Sequence, residues 1–544
     1  MAWWQYGVIY QIYPRSFKDS KGDGIGDLMG IIEKLDYLNG REDSLGIDAI
    51  WLSPVNNSPM VDFGYDVSDY YGIDPVYGDM QTFELLIKEA AKRNIKIIMD
   101  LVVNHSSDKH PWFIESRSSK DKPKSDWYIW KDPVNGKEPN GWLSAFGGKA
   151  WTFDENRGQY YLHSFAPEQP DLNWRNPELK KAVFDVVRFW LDKGVAGFRL
   201  DVVNCFVKDS EFRDNPKRRM KLSLRGMRAY DRQVHVYDRD RPETHEILKE
   251  LRKILDSYPG ERMMVGEVMQ EPPGVASLPA SYYGNNDELN LSFNFSVFFV
   301  KWKLESFRQI IADWEAELGE NRWPCNVFSN HDFVRHITRF GSKRNRLPRA
   351  RLLALLLLSL RGTPFLYYGE ELGMLSENVP RKLIHDPPGK KYWPFYKGRD
   401  NARLPMCWDD SKYAGFSITE PWLPLNQDFK TVNVYEQQKD PQSLFHTYQK
   451  LIRLRKEKEV LRSGKIQILE KNHKSILSFL RYTEKESFLV LINFSKKKQS
   501  YPIKKATSAQ KAAILFSSHR KEGVVLVGEE LELDGYEGGI FALS

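Results

Sequence analysis

The chain has 544 residues, 41% hydrophobic and 28% charged, an ordinary globular composition that excludes a disordered or fibrous protein. Its 80 Lys and Arg against 73 Asp and Glu leave a net charge of +7 with both signs interspersed; this is a solvated surface, weakly favourable to anions, and gives no support to nucleic-acid binding. Three cysteines (Cys205, Cys325 and Cys407), an odd number with no CxxC spacing, argue against a disulfide framework and a zinc site and suit a reducing compartment.

The N-terminal stretch MAWWQYGVIYQIYPRSF lacks the basic and apolar regions of a signal peptide, so a cytoplasmic location is expected. From there, short apolar runs alternate with amphipathic ones. GVIYQIY, IDAIWLSP, IKIIMDLVV, VAGFRLDVV, RMMVGEV, LNLSFNF, PCNVFSN and TPFLYYG read as eight strands buried on both faces. Between them FELLIKEAAKRN, LKKAVFDVVRFWLDKG, THEILKELRKILDSYPG and a Leu352-centred segment read as helices. Eight such units predict an α/β fold, a (β/α)8 TIM barrel. The apolar run Leu352–Leu360 is too short to span a bilayer and reads as a buried helix, so no membrane association is expected.

Two segments break the alternation. An aromatic-rich insertion at 106–174 follows the third strand, and an irregular stretch at about 374–430 follows the eighth. Loops of this length are usually functional, and these leave the strand ends where barrel sites form. Beyond residue 462 the period changes to two, which predicts a C-terminal antiparallel β-sandwich. The domains expected are therefore 1–105 and 175–462 for the barrel, 106–174 for the insertion and 463–544 for the β domain.

Asp100, Asp201, Glu267 and Asp332 lie at the ends of strands three, four, five and seven. A single Asp there would be a cap or an ion-pair partner. Four of them, with His105, Arg199 and His331, converge on one face of a barrel. Two neighbouring carboxyls, one ionised and one protonated, are the requirement for cleaving a glycosidic bond with retention. Arg199 stands two residues before Asp201, on the same strand face, and can hold that carboxylate ionised. Glu267 needs a raised pKa to act as an acid. His105 and His331 can donate hydrogen bonds to sugar hydroxyls.

DLVVNH (Asp100–His105), GFRLDVV (Gly197–Val203), VGEV (Val265–Val268) and FSNHD (Phe328–Asp332) resemble, in order, the four signature regions of the α-amylase superfamily of glycoside hydrolases. The resemblance runs over essentially the whole chain. It implies Asp201 as nucleophile, Glu267 as acid/base and Asp332 as transition-state stabiliser. QPDLN (Gln169–Asn173) and YQIYPRSF are similar to the oligo-1,6-glucosidase group. FGYDVSDY resembles that group's pocket for the terminal sugar, implying Asp62 to bind it and Tyr65 to stack on it. GRDNARLPMCWDD resembles the segment that supplies an arginine to the pocket: Arg403, with Arg399 second. A closed pocket implies exo-action on small α-glucosides by a monomer or homodimer.

In this group the residue after the nucleophile tends to be Val in α-1,6-active members and Ala or Thr in α-1,4-active ones; here it is Val202. Strand propensity alone would also explain a valine. RMKLSLRGMRAYDRQVHVYDRDRPETHE and WPCNVFSNHD look closer to maltose-type or transglucosylating relatives. The resemblance therefore leaves α-1,4-glucosidase, glucosyl transfer and trehalose-6-phosphate hydrolysis as alternatives. FVRHITRFG after Asp332 lacks the arginine-rich motif of sucrose isomerases. A transporter heavy chain, which shares the fold, predicts a membrane helix and damaged motifs, and neither is read here. DSKGDGIGD resembles the group's calcium loop, implying Asp19, Asp23, Asp27 and the Ile25 carbonyl as ligands. Lys21 replaces the usual Asn and would weaken the ion's hold.

Overall fold

A computed structural model of the chain describes residues 1–218, 229–270, 274–342, 344–469, 473–503, 509, 511–520, 523–526 and 530–544. The eight expected strands are present: β1 Ile9–Ile12, β2 Ala49–Leu52, β3 Lys96–Leu101, β4 Gly197–Leu200, β5 Met263–Gly266, β6 Leu291–Ser292, β7 Cys325–Val327 and β8 Thr363–Tyr367. They form one parallel sheet in the order β6-β5-β4-β3-β2-β1-β8-β7.

Alternate residues explain why these runs are apolar throughout. Ile9, Trp51, Ile98, Met263, Val265, Val327 and Phe365 fill the interior of the barrel. The alternate strand residues Tyr10, Ile50, Ile97, Phe198, Met264 and Leu366 join the larger core beneath the helices. Each face is a packed core, as an eight-strand barrel requires. The ring is nearly closed: β6 and β7 share no ladder among the described residues. Phe293, Phe295, Phe298 and Phe333 fill that seam, with ring centroids 4.5–5.5 Å apart along the chain of contacts.

The helices predicted from sequence form at Met80–Lys92, Pro177–Asp192, Pro242–Asp256 and Arg346–Ser359. In the last, Leu352–Leu358 are all buried, because the helix packs against helix Leu444–Glu457 on one side and the C-terminal sheet on another. Among the described residues, no helix is long and apolar enough to cross a membrane. The insertion after β3 carries helix Pro111–Ser118 and a three-stranded antiparallel sheet, with Gln159–Leu162 between Trp130–Lys131 and Trp151–Asp154. A bridge from His105 to Asp171 binds it to the chain just past β3, and one from Tyr128 to Leu172 ties the insertion to itself.

The C-terminal domain is a six-stranded antiparallel sheet. Leu477, Phe479, Val490 and Ile492 face the barrel helices; Ile476, Leu489, Leu491 and Phe541 face outward, under a two-stranded ribbon of Gln499–Tyr501 and Leu531–Leu533. Two details differ from the sequence reading. Strand Gln499–Tyr501 is too short and polar to show alternation, and ELELDGYEGGIFAL divides into Leu531–Leu533 and Gly538–Leu543 around a turn with Tyr536 at φ +57°.

Candidate active site

The strand register builds the site from Arg199. β3 and β4 pair with Asp100 opposite Arg199, and β4 and β5 pair with Arg199 opposite Val265. Inward parity then carries Asp201 and Glu267, each two residues on, to the same end of the barrel. The Arg199 guanidinium, 2% exposed, donates to Asp100 (2.6 Å), to Asp201 Oδ1 (2.9 Å) and to Glu267 Oε2. An arginine this deep is tolerable only with its charge matched. Asp100 is completed by Trp51 Nε1 at 3.2 Å and the Tyr65 hydroxyl at 3.1 Å.

β7 delivers His331 and Asp332. Gln11 Nε2 donates to His331 Nδ1 (2.8 Å), which places the ring proton on Nε2. That nitrogen meets the Tyr65 hydroxyl at 2.7 Å and Asp332 Oδ2 at 3.2 Å. The Tyr65 and His331 rings stack at 5.4 Å, 4° from parallel. Burial lowers the His331 pKa to about 3, so the ring is a neutral donor.

These groups open onto a cavity of about 90 Å³ lined by Asp62, Tyr65, His105, Phe146, Phe165, Gln169, Asp201, Val202, Glu267, Met269, His331, Asp332 and Arg399. Asp201, Glu267 and Asp332, expected to act together, share it. The order of the two arginines is the reverse of the sequence reading. Arg399 lines the cavity, joined to Asp62 at 2.5 Å and to Asp332 at 3.3 Å, with its Nε held at 2.6 Å by Asp386. Arg403 lies behind, fully buried, on the His331 carbonyl (3.0 Å) and Asp332 (3.3 Å). The 3₁₀ turn Asp400–Ala402 separates the two residues and sends their side chains to different depths. His105 reaches the cavity too, but its Nε2 is 2.8 Å from the Tyr65 carbonyl, and burial lowers its pKa to about 4.

Val202 has φ +36° and ψ 48°, the left-handed region that a β-branched residue rarely occupies. Its side chain joins Phe165 and Cys205 in an apolar cluster flanked by Ala145, Phe146 and Met269. Cys205 is thus a packing residue, its thiol pushed up to about 12 by burial. Phe146, Phe165 and Met269 were not singled out from sequence, because loop residues carry no period. Gln169 was read only within QPDLN; here its amide bonds the Tyr65 carbonyl at 3.0 Å. The segment RMKLSLRGMR, 219–228, lies outside the described residues.

Too many carboxyls share too few cations for all to ionise. Burial raises Glu267 to about 8, with Arg199 opposing and Asp201 and Asp332 reinforcing. Burial raises Asp201 to about 7 in the same way, and Asp62 to about 6 against Arg399 and Arg403. Asp332 is held below its usual range, since His331, Arg399 and Arg403 overcome its burial. Glu267 therefore retains its proton to the highest pH, and Asp332 is the most firmly ionised.

The loop at 19–27 does not assemble the expected calcium ligands. Both Asp19 oxygens accept from the chain, at Gly22 N (2.7 Å) and Gly24 N (2.8 Å), with the Ser417 hydroxyl at 2.6 Å. Asp27 caps helix Leu28–Glu33 through Gly30 N at 2.7 Å and binds Ser20. Asp23 accepts from the Ile25 N–H at 2.9 Å. Lys21 Nζ turns away to the Pro75 and Val76 carbonyls, each at 2.9 Å. Among the described residues no three carboxylate, histidine or cysteine side chains form a metal-sized cluster. A hard cation needs several convergent oxygens, and this donor set does not fit one.

Residues 11–464 match the family described as Alpha amylase, catalytic domain, and residues 476–540 match the Alpha-amylase SusG C-terminal domain. The chain is 43% identical to the "Probable alpha-glucosidase" of Rhizobium meliloti, over 91% of this chain and 89% of that one. It is 42% identical to the oligo-1,6-glucosidase of Parageobacillus thermoglucosidasius, over 91% of each. A solved α-glucosyl transfer enzyme superposes with a TM-score of 0.92 at 39% identity, covering both chains completely.

Proposed function

The chain belongs to the α-amylase family of glycoside hydrolases, and from that premise we propose that it is a retaining, exo-acting α-glucosidase releasing glucose from short α-1,6-linked glucosides. The observation that carries this reading is one cavity holding Asp201, Glu267 and Asp332 together with the Asp62–Arg399 pair. Asp201 Oδ1 is held by Arg199, which leaves Oδ2 to attack the anomeric carbon. Glu267, the carboxyl that keeps its proton longest, gives it to the departing oxygen as the C–O bond breaks. Asp332, ionised, faces the positive charge that develops on the ring. Glu267, now a base, takes a proton from water, which opens the glucosyl–Asp201 ester and restores both carboxyls. Asp62 and Arg399 supply an acceptor and a donor for hydroxyls of the terminal glucose.

Val202 supports the α-1,6 preference. Its branched side chain lines the cavity with Asp201, in the cluster with Phe165, and with the acceptor sugar on that side it would crowd a 4-linked ring more than one carried on a flexible exocyclic carbon. Transfer of glucose to a sugar acceptor is a second reading, favoured by the apolar acceptor side, which holds water poorly. Trehalose-6-phosphate hydrolysis is less well supported: among the described residues lining the cavity, the only cation is Arg399, already held by Asp62, Asp332 and Asp386. The purified enzyme should be assayed on isomaltose, maltose, sucrose, trehalose and trehalose 6-phosphate, with Asp201→Ala as control. A kcat/KM far higher for maltose than for isomaltose rejects the linkage assignment. Near-full activity of a folded Asp201→Ala rejects the mechanism.

A further inference from the structure

The segment 391–399 runs from the inserted domain to the catalytic cavity. At its start Lys391 Nζ donates to the Gly147 carbonyl at 2.6 Å. Tyr392 packs its hydroxyl so closely on Gly147 that a Cβ there would lie 1.7 Å from it. Gly147 follows Phe146, a cavity-lining ring. At its end Arg399 lines the same cavity, its guanidinium 5.1 Å from the centre of the Phe146 ring. Both ends of the segment are thus tied to the cavity wall, one to the residue after Phe146 and the other through Arg399 itself.

Between those ends, the aromatic rings are turned to solvent. Phe395 is 81% exposed and Tyr396 38%, and Tyr396 is close enough to Arg399 to act on its charge. Trp393 beside them packs into a small apolar cluster and anchors the segment. Two exposed aromatic rings on a loop tied at both ends to the cavity wall offer apolar surface that a ligand emerging from the cavity can cover. The flat face of an aromatic ring suits the C–H face of a pyranose, and a tyrosine adds a hydroxyl for its rim.

We propose that Phe395 and Tyr396 form a stacking platform for the second and later sugar rings on the acceptor side of an α-glucoside chain. The first acceptor ring stays inside the cavity, against Val202 and Met269; rings beyond it emerge at the mouth, where the platform stands. The proposal deepens the α-glucosidase reading and rests on it. It makes the enzyme more efficient on trisaccharides and longer chains than on disaccharides, without any change in the chemistry.

The test is Phe395→Ala in the full-length enzyme, with kcat/KM measured on di-, tri- and tetrasaccharides of both the α-1,4 and α-1,6 series. The expected loss is about three- to tenfold for trisaccharides and longer, the size of one stacking contact, with the disaccharide within about twofold of wild type. Phe395→Trp should restore the longer substrates. A uniform loss across lengths, no loss, or no chain-length advantage in the wild type overturns the platform. So does a shift from dimer to monomer on size exclusion without a change in length dependence, which makes the patch a contact between copies. If the wild type hydrolyses neither disaccharide series, the α-glucosidase reading fails; calorimetry of tri- and disaccharide binding to Glu267→Gln, with and without Phe395→Ala, still reads the platform by itself.

Discussion

Glu267→Gln isolates the acid from the rest of the site. The amide keeps the size of the carboxyl and can still accept from Arg199, but it cannot give a proton to a glycosidic oxygen. General acid catalysis contributes about 10²- to 10⁴-fold, so kcat/KM on a disaccharide should fall by about 3–5 kcal/mol of barrier. The pH profile carries the sharper information. In the wild type, kcat/KM should rise as Asp201 ionises around pH 7 and fall as Glu267 loses its proton around pH 8. In the variant the alkaline limb should disappear, because the group that titrates is gone. The acid limb should stay in place, because Glu267 is still protonated where Asp201 titrates and adds no negative charge there. α-Glucosyl fluoride, whose leaving group needs little protonation, should keep most of its rate of enzyme glucosylation. Steady-state rates from pH 5 to 9.5 on both substrates provide the assay. An alkaline limb that persists unmoved in Glu267→Gln, or a disaccharide rate within tenfold of wild type, refutes the assignment.

Arg399→Ala should lower kcat/KM about 10²-fold or more and lower Tm as well, since it strands the buried carboxylates Asp62 and Asp386. Arg403→Ala should also lower Tm, because its fully buried guanidinium holds Asp332 and the His331 carbonyl from behind, but with a smaller kinetic loss, since it does not line the cavity; kinetics alongside thermal melts separate the two. Glu371, buried on the Tyr10 and Tyr37 hydroxyls at 2.8 and 2.6 Å, is raised from 4.5 to about 7, chiefly by burial. A carboxyl raised on folding stabilises fully below its unfolded pKa, and that contribution is lost as pH climbs through the folded one. Stability should therefore decline between about pH 4.5 and 7 by up to the order of 3 kcal/mol, and Glu371→Gln should flatten that slope in urea melts at each pH. A chelator should leave Tm within about 1 °C; a rise of several degrees with millimolar calcium would show a bound ion, since saturation by 100-fold is worth about 2.7 kcal/mol.

The barrel was legible because its strands are buried on both faces, so β1 to β8 appear as unbroken apolar runs. The cavity carboxyls were legible for the complementary reason: Asp201, Glu267 and Asp332 are charges at the ends of those runs, where apolar neighbours make them conspicuous. What the chain order concealed lies in loops. Arg399 and Arg403 are four residues apart in an irregular segment, and no period says which reaches the cavity; a 3₁₀ turn decides it. Phe146, Phe165 and Met269 line the cavity from loops where an aromatic or methionine carries no positional meaning until the backbone is placed. At 19–27 the acidic spacing was visible, but not that glycine N–H groups and Ser417 would occupy the carboxylates first.

Val202 is held in a left-handed backbone conformation at a cost of about 1–2 kcal/mol for a side chain with a Cβ, and this ties two properties that are usually tuned apart. Glycine at this position would relax the backbone, and alanine would ease the crowding of the branched chain; either would also widen the acceptor side. Selection of this enzyme for heat resistance alone would thus be drawn toward smaller residues at 202, and a more robust lineage would drift in linkage preference. On the proposed α-1,6 reading, fidelity for one bond type is stored as local backbone strain beside Asp201, and a screen that rewards only stability would erase it unnoticed.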